Sequence, residues 1–249
     1  MLHRSVVAQD ATEIPARNEI KLYGDGATLS DFKRLYSEGV VTGFTTNPSL
    51  MRKAGVEDYE AFARELLSVI PDMPVSFEVI ADEFDEMERQ AMRLASWGPN
   101  VYVKVPITNT RRESSLPLIR RLSAQGVKVN VTAILTLEQV AGTVDALHPD
   151  TPAVISIFAG RIADTGVDPA PVMRAAVAMA TRRPHAEVLW ASIREVYNIY
   201  QADSCGCHII TATPELLKKL DMGGKNLDDL SAETVAMFDA DARAAGYQL

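Results

Sequence analysis

Short runs of apolar, largely β-branched residues alternate along this chain with longer stretches in which apolar residues recur every three or four positions. The first pattern predicts strands and the second amphipathic helices. Strands are predicted at Ile20 to Tyr23, Gly43 to Thr46, Val75 to Ile80, Val101 to Val105, Val127 to Ala133, Ala153 to Phe158, Val188 to Ala191 and His208 to Ala212. A helix follows each. The first runs from Thr28 to Glu38, with Leu29, Phe32, Leu35 and Tyr36 on one face, Thr28 or Ser30 as N-cap and Gly39 as C-cap. The second carries Tyr59, Phe62, Leu66 and Leu67; later ones span Phe84 to Trp97, Ser115 to Ala124, Thr136 to Leu147, Pro171 to Thr181 and Glu195 to Ala202, and a short one follows Pro214. Strict β–α alternation implies a parallel sheet. Eight units in 249 residues favour a closed (β/α)₈ barrel, a TIM barrel, over an open doubly wound sheet, although periodicity alone does not show closure.

A further amphipathic helix, Ser231 to Ala245, lies beyond the eighth unit, with Val235, Phe238 and Ala242 on one side. Such a stripe needs a cover, either the barrel itself or a second copy of the chain in a homo-oligomer. The domain reading is an N-terminal extension, 1–19, followed by one barrel over 20–249 that includes this helix.

Composition narrows the partners. Hydrophobic residues make up 47% of the chain, enough for a large core, and the net charge is −8. An acidic chain with a pI near 5.1 lacks the basic face of a general nucleic-acid binder. One or two local arginines would still suffice for a phosphorylated substrate. No apolar run is long enough to span a bilayer, and the first nineteen residues lack the continuous apolar core of a signal peptide, so a cytoplasmic location is expected. The two cysteines, Cys205 and Cys207, flank a single glycine and read as small apolar residues in a packed turn. His3, His148, His185 and His208 are scattered and match no zinc-ligand spacing.

In barrels of this kind chemistry sits at the C-terminal ends of the strands. Of three lysines in strand-like segments, Lys21 and Lys128 stand at strand starts, where their stems can snorkel to solvent. Lys104 stands near the end of VYVKVP. Burial of an amine there disfavours its charge and makes it available as a nucleophile; the competing reading is a structural ion pair with a neighbouring carboxylate. Other strand ends carry Asp25, Thr45 with Thr46 and Asn47, Glu78, Asn130 with Thr132, Phe158 with Arg161, and Ser192 with Arg194. Buried polar groups of this variety must pair with one another or with a ligand. Each alone has a plainer reading: Asp25 and Ser192 as helix caps, Arg161 as a surface residue.

The segments GFTTNPSL (43–50), VYVKVPIT (101–108), VNVTAIL (129–135), IFAGRIADTG (157–166) and ASIR (191–194) resemble the transaldolase family, which includes fructose-6-phosphate aldolases. The resemblance runs in order from about Ile20 to Leu220. It implies a Schiff base between Lys104 and a ketose carbonyl, with no metal or other cofactor. It implies that Asp25 binds substrate hydroxyls and assists proton transfer at carbon–carbon cleavage. Glu78 would activate a water that Thr132 orients. Asn47 and Asn130 would bind the dihydroxyacetone part, with Thr45 supporting the site, and Arg161, Ser192 and Arg194 would take the phosphate. Aldolases of the family usually have Gln in place of Glu78 and Tyr in place of Phe158, so this pair resembles the transaldolase branch. Departures are Gly24 and Gly26 around Asp25, which would loosen Asp25 or widen the pocket, and Trp190 before ASIR. The competing classes are an aldolase that releases dihydroxyacetone, a non-catalytic sugar-phosphate sensor and a metal-dependent hydrolase. The presence of both Lys104 and Asp25 speaks against the second. The lack of a His/Asp cluster at the strand ends speaks against the third.

Overall fold

The computed structural model describes residues 20–26 and 28–248. The expected N-terminal extension and His3 lie outside them. Among the described residues, eight strands close into one parallel barrel in sequence order: β1 (Lys21–Asp25), β2 (Gly43–Thr45), β3 (Val75–Glu78), β4 (Val101–Pro106), β5 (Val129–Ile134), β6 (Ala153–Ile157), β7 (Ala186–Trp190) and β8 (Ile209–Ala212). Every pairing is parallel, and β1 closes the ring on β8 through Lys21↔Ile209 and Tyr23↔Thr211. Closure decides between the two architectures that periodicity left standing.

The helices are α1 (Leu29–Glu38), α2 (Pro48–Lys53), α3 (Tyr59–Val69), α4 (Phe84–Ala95), α5 (Leu116–Ala124), α6 (Leu137–Ala146), α7 (Ala159–Asp164), α8 (Ala170–Ala180), α9 (Tyr197–Ser204), α10 (Pro214–Lys218) and α11 (Leu227–Ala245). Their ends follow local chemistry. Thr28 caps α1 through the Asp31 N–H, and Gly39 ends it in the left-handed region at φ 65°. Thr136 and Gln139 form a reciprocal capping box on α6. The short helices α2 and α7 break the simple strand–helix reading. Asn47 caps α2 and Pro48 opens it, whereas α7 begins directly after Phe158. Both follow the C-terminal ends of strands.

Tyr23, Val154, Leu189, Ala191 and Ile209 form an apolar cluster, with Tyr102 and Phe158 packed against it. Side chains alternate along a strand, so Trp190 faces away from Leu189 and Ala191; it is buried in the outer layer. At the N-terminal ends of the strands, Lys21 pairs with Glu187 at 2.8 Å, and Lys128 donates to the Pro99 carbonyl at 2.7 Å. Cys205 and Cys207 are buried and free at the turn between α9 and β8.

Residues from Lys219 onward belong to a second unit, separate from the barrel unit that ends at Lys218. Its helix α11 is capped by Asn226 and ends at Gly246; it contains no buried residue, and Val235 and Phe238 are exposed. Among the described residues no helix is long and apolar enough to cross a membrane.

Candidate active site

The parallel register brings the polar strand ends to one level. Asp25 pairs with Thr45, Glu78 with Lys104, Lys104 with Asn130 and Pro106 with Thr132. A cavity of about 380 Å³ opens there, lined by Asp25, Thr45, Asn47, Glu78, Lys104, Thr132, Phe158, Arg161 and Ser192. Nine of the eleven residues expected at the site share this wall. Asn130 and Arg194 are held elsewhere.

Lys104 is 7% exposed. Its Nζ lies 3.1 Å from Glu78 Oε2 and donates to the Thr46 carbonyl at 2.9 Å. The amine thus has both of the attributes weighed from sequence, an ion-pair partner and access to a cavity. Asp25 enters from β1. Thr45 donates to its Oδ1 at 2.8 Å, and Thr45 and Thr211 share a hydrogen bond at 2.6 Å, so Thr211 donates when Thr45 serves Asp25. Burial pushes the Asp25 carboxyl above the ordinary carboxylate range and outweighs the opposite pull of Lys104 and the Thr45 and Asn47 hydrogen bonds. An acid raised in this way can hold or give up a proton closer to neutral pH.

Thr132 occupies an irregular stretch of β5. The β5–β6 register shifts between Val131 and Ile134, and Ala133 adopts φ 60°, in the left-handed region. A bulge of this kind re-aims a side chain. Thr132 Oγ1 is buried and has no hydrogen-bond partner among the described residues, although it lines the cavity with Lys104 and Glu78. A buried hydroxyl without a partner costs free energy unless a ligand or water satisfies it.

Asn130 is fully buried and does not line the cavity. Its amide donates to Ser76 Oγ at 3.0 Å and its carbonyl accepts from Ser156 Oγ at 2.6 Å, which ties β3, β5 and β6 together. Asn47 divides its functions: its carbonyl caps α2 through the Leu50 N–H at 2.9 Å, and its amide faces Asp25 Oδ2 at 3.5 Å.

On the opposite wall, Arg161 lies over the Phe158 ring, 5.7 Å from its centroid. Ser192 has φ 64°, a left-handed value that a non-glycine residue adopts only when its surroundings enforce it. Two contacts enforce it. Gly160 sits so close that an added Cβ would fall 1.6 Å from the Ser192 carbonyl oxygen. Arg194 Nη1 donates to that oxygen at 2.9 Å and to Ser192 Oγ at 3.1 Å. The rest of the Arg194 fork is taken by Asp164, with Nε donating to Oδ1 at 2.9 Å and Nη2 donating to Oδ2. Arg194 therefore braces Ser192, and Arg161 is the arginine on the cavity wall.

The glycines around Asp25 do not widen the pocket. A Cβ at Gly24 would meet Leu35 of α1 at 2.9 Å and Phe44 at 3.0 Å, and one at Gly26 would meet Phe32 at 3.3 Å. Both face outward and let α1 approach β1, which corrects the expectation of a widened pocket.

Ser156, Leu189, Ala191 and Thr211 also line the cavity and were not singled out from sequence. Alternation within their strands carries the signal, since Ser156 is in phase with Val154 and Thr211 with Ile209. Nothing local marked Asp164. Among the described residues, no three His, Cys, Asp or Glu side chains gather in a set that could hold a metal ion.

A family model for transaldolase/fructose-6-phosphate aldolase matches residues 22–249. A probable transaldolase 2 of Listeria monocytogenes is 37% identical over 204 residues, covering 81% of this chain and 88% of the relative. Probable transaldolases of Dehalococcoides mccartyi (32% over 202 residues, 81% of this chain and 90% of the relative) and Thermoanaerobacter sp. (31% over 233 residues, 92% and 100%) extend the match. Among solved structures, KGPDC from Streptococcus mutans superposes with a TM-score of 0.54 at 12% identity, over 81% of this chain and 91% of that one, a likeness of fold alone. With nearly the whole barrel matched by the family model and by relatives above 30% identity, the chain belongs to the transaldolase/fructose-6-phosphate aldolase family.

Proposed function

We propose that the protein transfers a three-carbon dihydroxyacetone unit from a ketose phosphate to an aldose acceptor through a Schiff base on Lys104. The observation that carries the reading is one buried amine at a strand end, 3.1 Å from Glu78, in a cavity shared with Asp25 and Thr132. Glu78 takes a proton from Lys104, and the free amine attacks the ketose carbonyl carbon to give a carbinolamine. A water held between Glu78 and the Thr132 hydroxyl relays the proton that lets the carbinolamine lose water to an iminium. The iminium is an electron sink. When Asp25 removes the proton of the C4 hydroxyl, the C3–C4 bond breaks, the aldose leaves, and the electron pair rests in an enamine. Attack of the enamine on the acceptor aldehyde reverses these steps, with Asp25 returning its proton, and hydrolysis frees Lys104.

Phosphate recognition falls to Arg161 and the Ser192 hydroxyl, with Arg194 fixing Ser192 from behind. A carboxylate at 78 accepts and returns protons, which an amide cannot do, and this supports transfer over simple aldol cleavage. The natural donor and acceptor are expected among sugar phosphates, handled without a metal or other cofactor and without nucleic-acid or membrane partners. We also propose self-association through α11, whose apolar Val235 and Phe238 are exposed; light scattering at the monomer mass of 27.2 kDa would refute it.

The test is borohydride reduction in the presence of fructose 6-phosphate, followed by peptide mass mapping. The reading expects the three-carbon adduct on Lys104, none in Lys104→Ala, and donor cleavage that depends on an acceptor such as erythrose 4-phosphate. Labelling elsewhere overturns the Schiff-base assignment. Free dihydroxyacetone without acceptor overturns transfer in favour of aldolase activity.

A further inference from the structure

We infer that Tyr59, outside the barrel on α3, is a positioning residue that holds the proton-shuttling Glu78 in reach of Lys104; this rests on the acid–base reading of Glu78 above. β2 ends at Thr45, and its ladder with β3 stops at Thr45↔Ser76. Glu78, two residues further on, points its N–H and C=O toward the side that β2 has left, because residue 79 already bonds to β4 through Val79 N–H and the Lys104 carbonyl at 3.1 Å. The Tyr59 hydroxyl takes the place of the missing strand. It accepts from the Glu78 N–H at 2.8 Å and donates to the Glu78 carbonyl at 3.0 Å. A single hydroxyl can serve both groups, whereas neither a phenyl ring nor an indole can.

The hydroxyl is fixed in turn by its ring. Tyr59 packs edge-on to Phe77 at 6.3 Å between centroids and against Trp97 at 6.1 Å, and Phe77 and Trp97 meet at 5.8 Å. Burial pushes the Tyr59 hydroxyl well above its ordinary range, so it stays protonated and able to donate. Glu78 is the thin part of the wall. It borders both the barrel cavity and a groove of about 500 Å³ on the α3–α4 side that Tyr59 and Trp97 also line. Its backbone is therefore held on one side by β4 and on the other by Tyr59 alone among the described residues.

Tyr59→Phe keeps the aromatic packing and removes only the hydroxyl. Displacement of a reacting group by a fraction of an ångström to 1 Å lowers turnover by about 10- to 100-fold. The expected result is a fall of that order in kcat with KM unchanged, a displaced acidic limb in the pH profile of kcat, and retained trapping at Lys104. In a Glu78→Ala background no carboxylate remains to be positioned, so adding Tyr59→Phe should change kcat by less than about twofold. Equal losses in both backgrounds, or an unchanged kcat and pH profile, overturn the inference. Should Tyr59→Phe not fold, hydrogen exchange in the parent decides. The Glu78 amide must be protected as strongly as that of Val79, and fast exchange at Glu78 overturns the inference. Failure of the functional reading shows separately, as absence of Lys104 labelling in the parent.

Discussion

Gly160→Ala tests the proposed phosphate wall at its tightest point. The added Cβ would lie 1.6 Å from the Ser192 carbonyl oxygen and 2.7 Å from the Ser192 carbonyl carbon, both backbone atoms. Ordinary contact begins near 3.4 Å, so Ser192 must retreat by roughly 1.8 Å or α7 must tilt by as much. Ser192 has no slack, because its φ of 64° is already enforced and Arg194 grips its carbonyl at 2.9 Å. Overpacking of this kind costs about 1–3 kcal/mol. A conflict with backbone belongs at the upper end, about 2–3 kcal/mol, which for a chain of this size lowers Tm by about 4–12 °C. The hydroxyl moves with its backbone, and a misplacement of 1 Å can cost about 10²-fold. The assay is kcat and KM with fructose 6-phosphate beside an unphosphorylated ketose, with thermal unfolding of the same preparation. KM for the phosphorylated donor should rise at least about tenfold, with little change for the unphosphorylated sugar, and Lys104 should still be trapped. If Tm stays within about 1 °C of the parent and KM is unmoved, a shift below about 0.5 kcal/mol, then the wall is not rigid and Ser192 does not seat the phosphate.

Arg161→Ala should raise KM for phosphorylated donors by roughly 10- to 100-fold, since a hydrogen bond to a charged group contributes about 1.5–3 kcal/mol. Asp164→Asn, which only loosens the brace on Arg194, should have a smaller effect, and the reverse order in steady-state kinetics would exchange the roles of the two arginines. Asp25→Asn should abolish turnover yet raise Tm at pH 7. The native carboxyl sits above its ordinary range, so ionised Asp25 disfavours the fold wherever the unfolded chain has lost its proton. That gain should vanish as pH falls below the ordinary value of 3.8, where both states are protonated. A lower Tm for the variant at neutral pH would contradict the burial argument. Gly24→Ala should cost about 1–3 kcal/mol through Leu35 and Phe44 and leave KM unchanged; altered sugar preference at constant Tm would return this glycine to the pocket.

The amino-acid order alone carried the eight strand–helix units and the strand-end positions of Lys104, Asp25 and Glu78. Periods of 2 and 3.6 and the capping residues are local properties that any window of ten residues displays. It also marked most of the cavity wall, because in a closed parallel barrel a strand's C-terminal end and the wall are nearly the same place. Contacts between residues distant in the chain set the rest. Asn130 bonds to Ser76 and Ser156 across three strands instead of facing the cavity. Arg194 is claimed by Asp164, thirty residues earlier in the chain, and so braces Ser192 while Arg161 lines the wall. Gly24 serves the packing of α1, and Tyr59, which in sequence is one more apolar position on a helix face, completes the hydrogen bonding of Glu78 where β2 ends. These outcomes depend on how far each strand runs past its neighbour once the ring closes. No local pattern encodes that stagger, because it follows from the packing of the whole barrel.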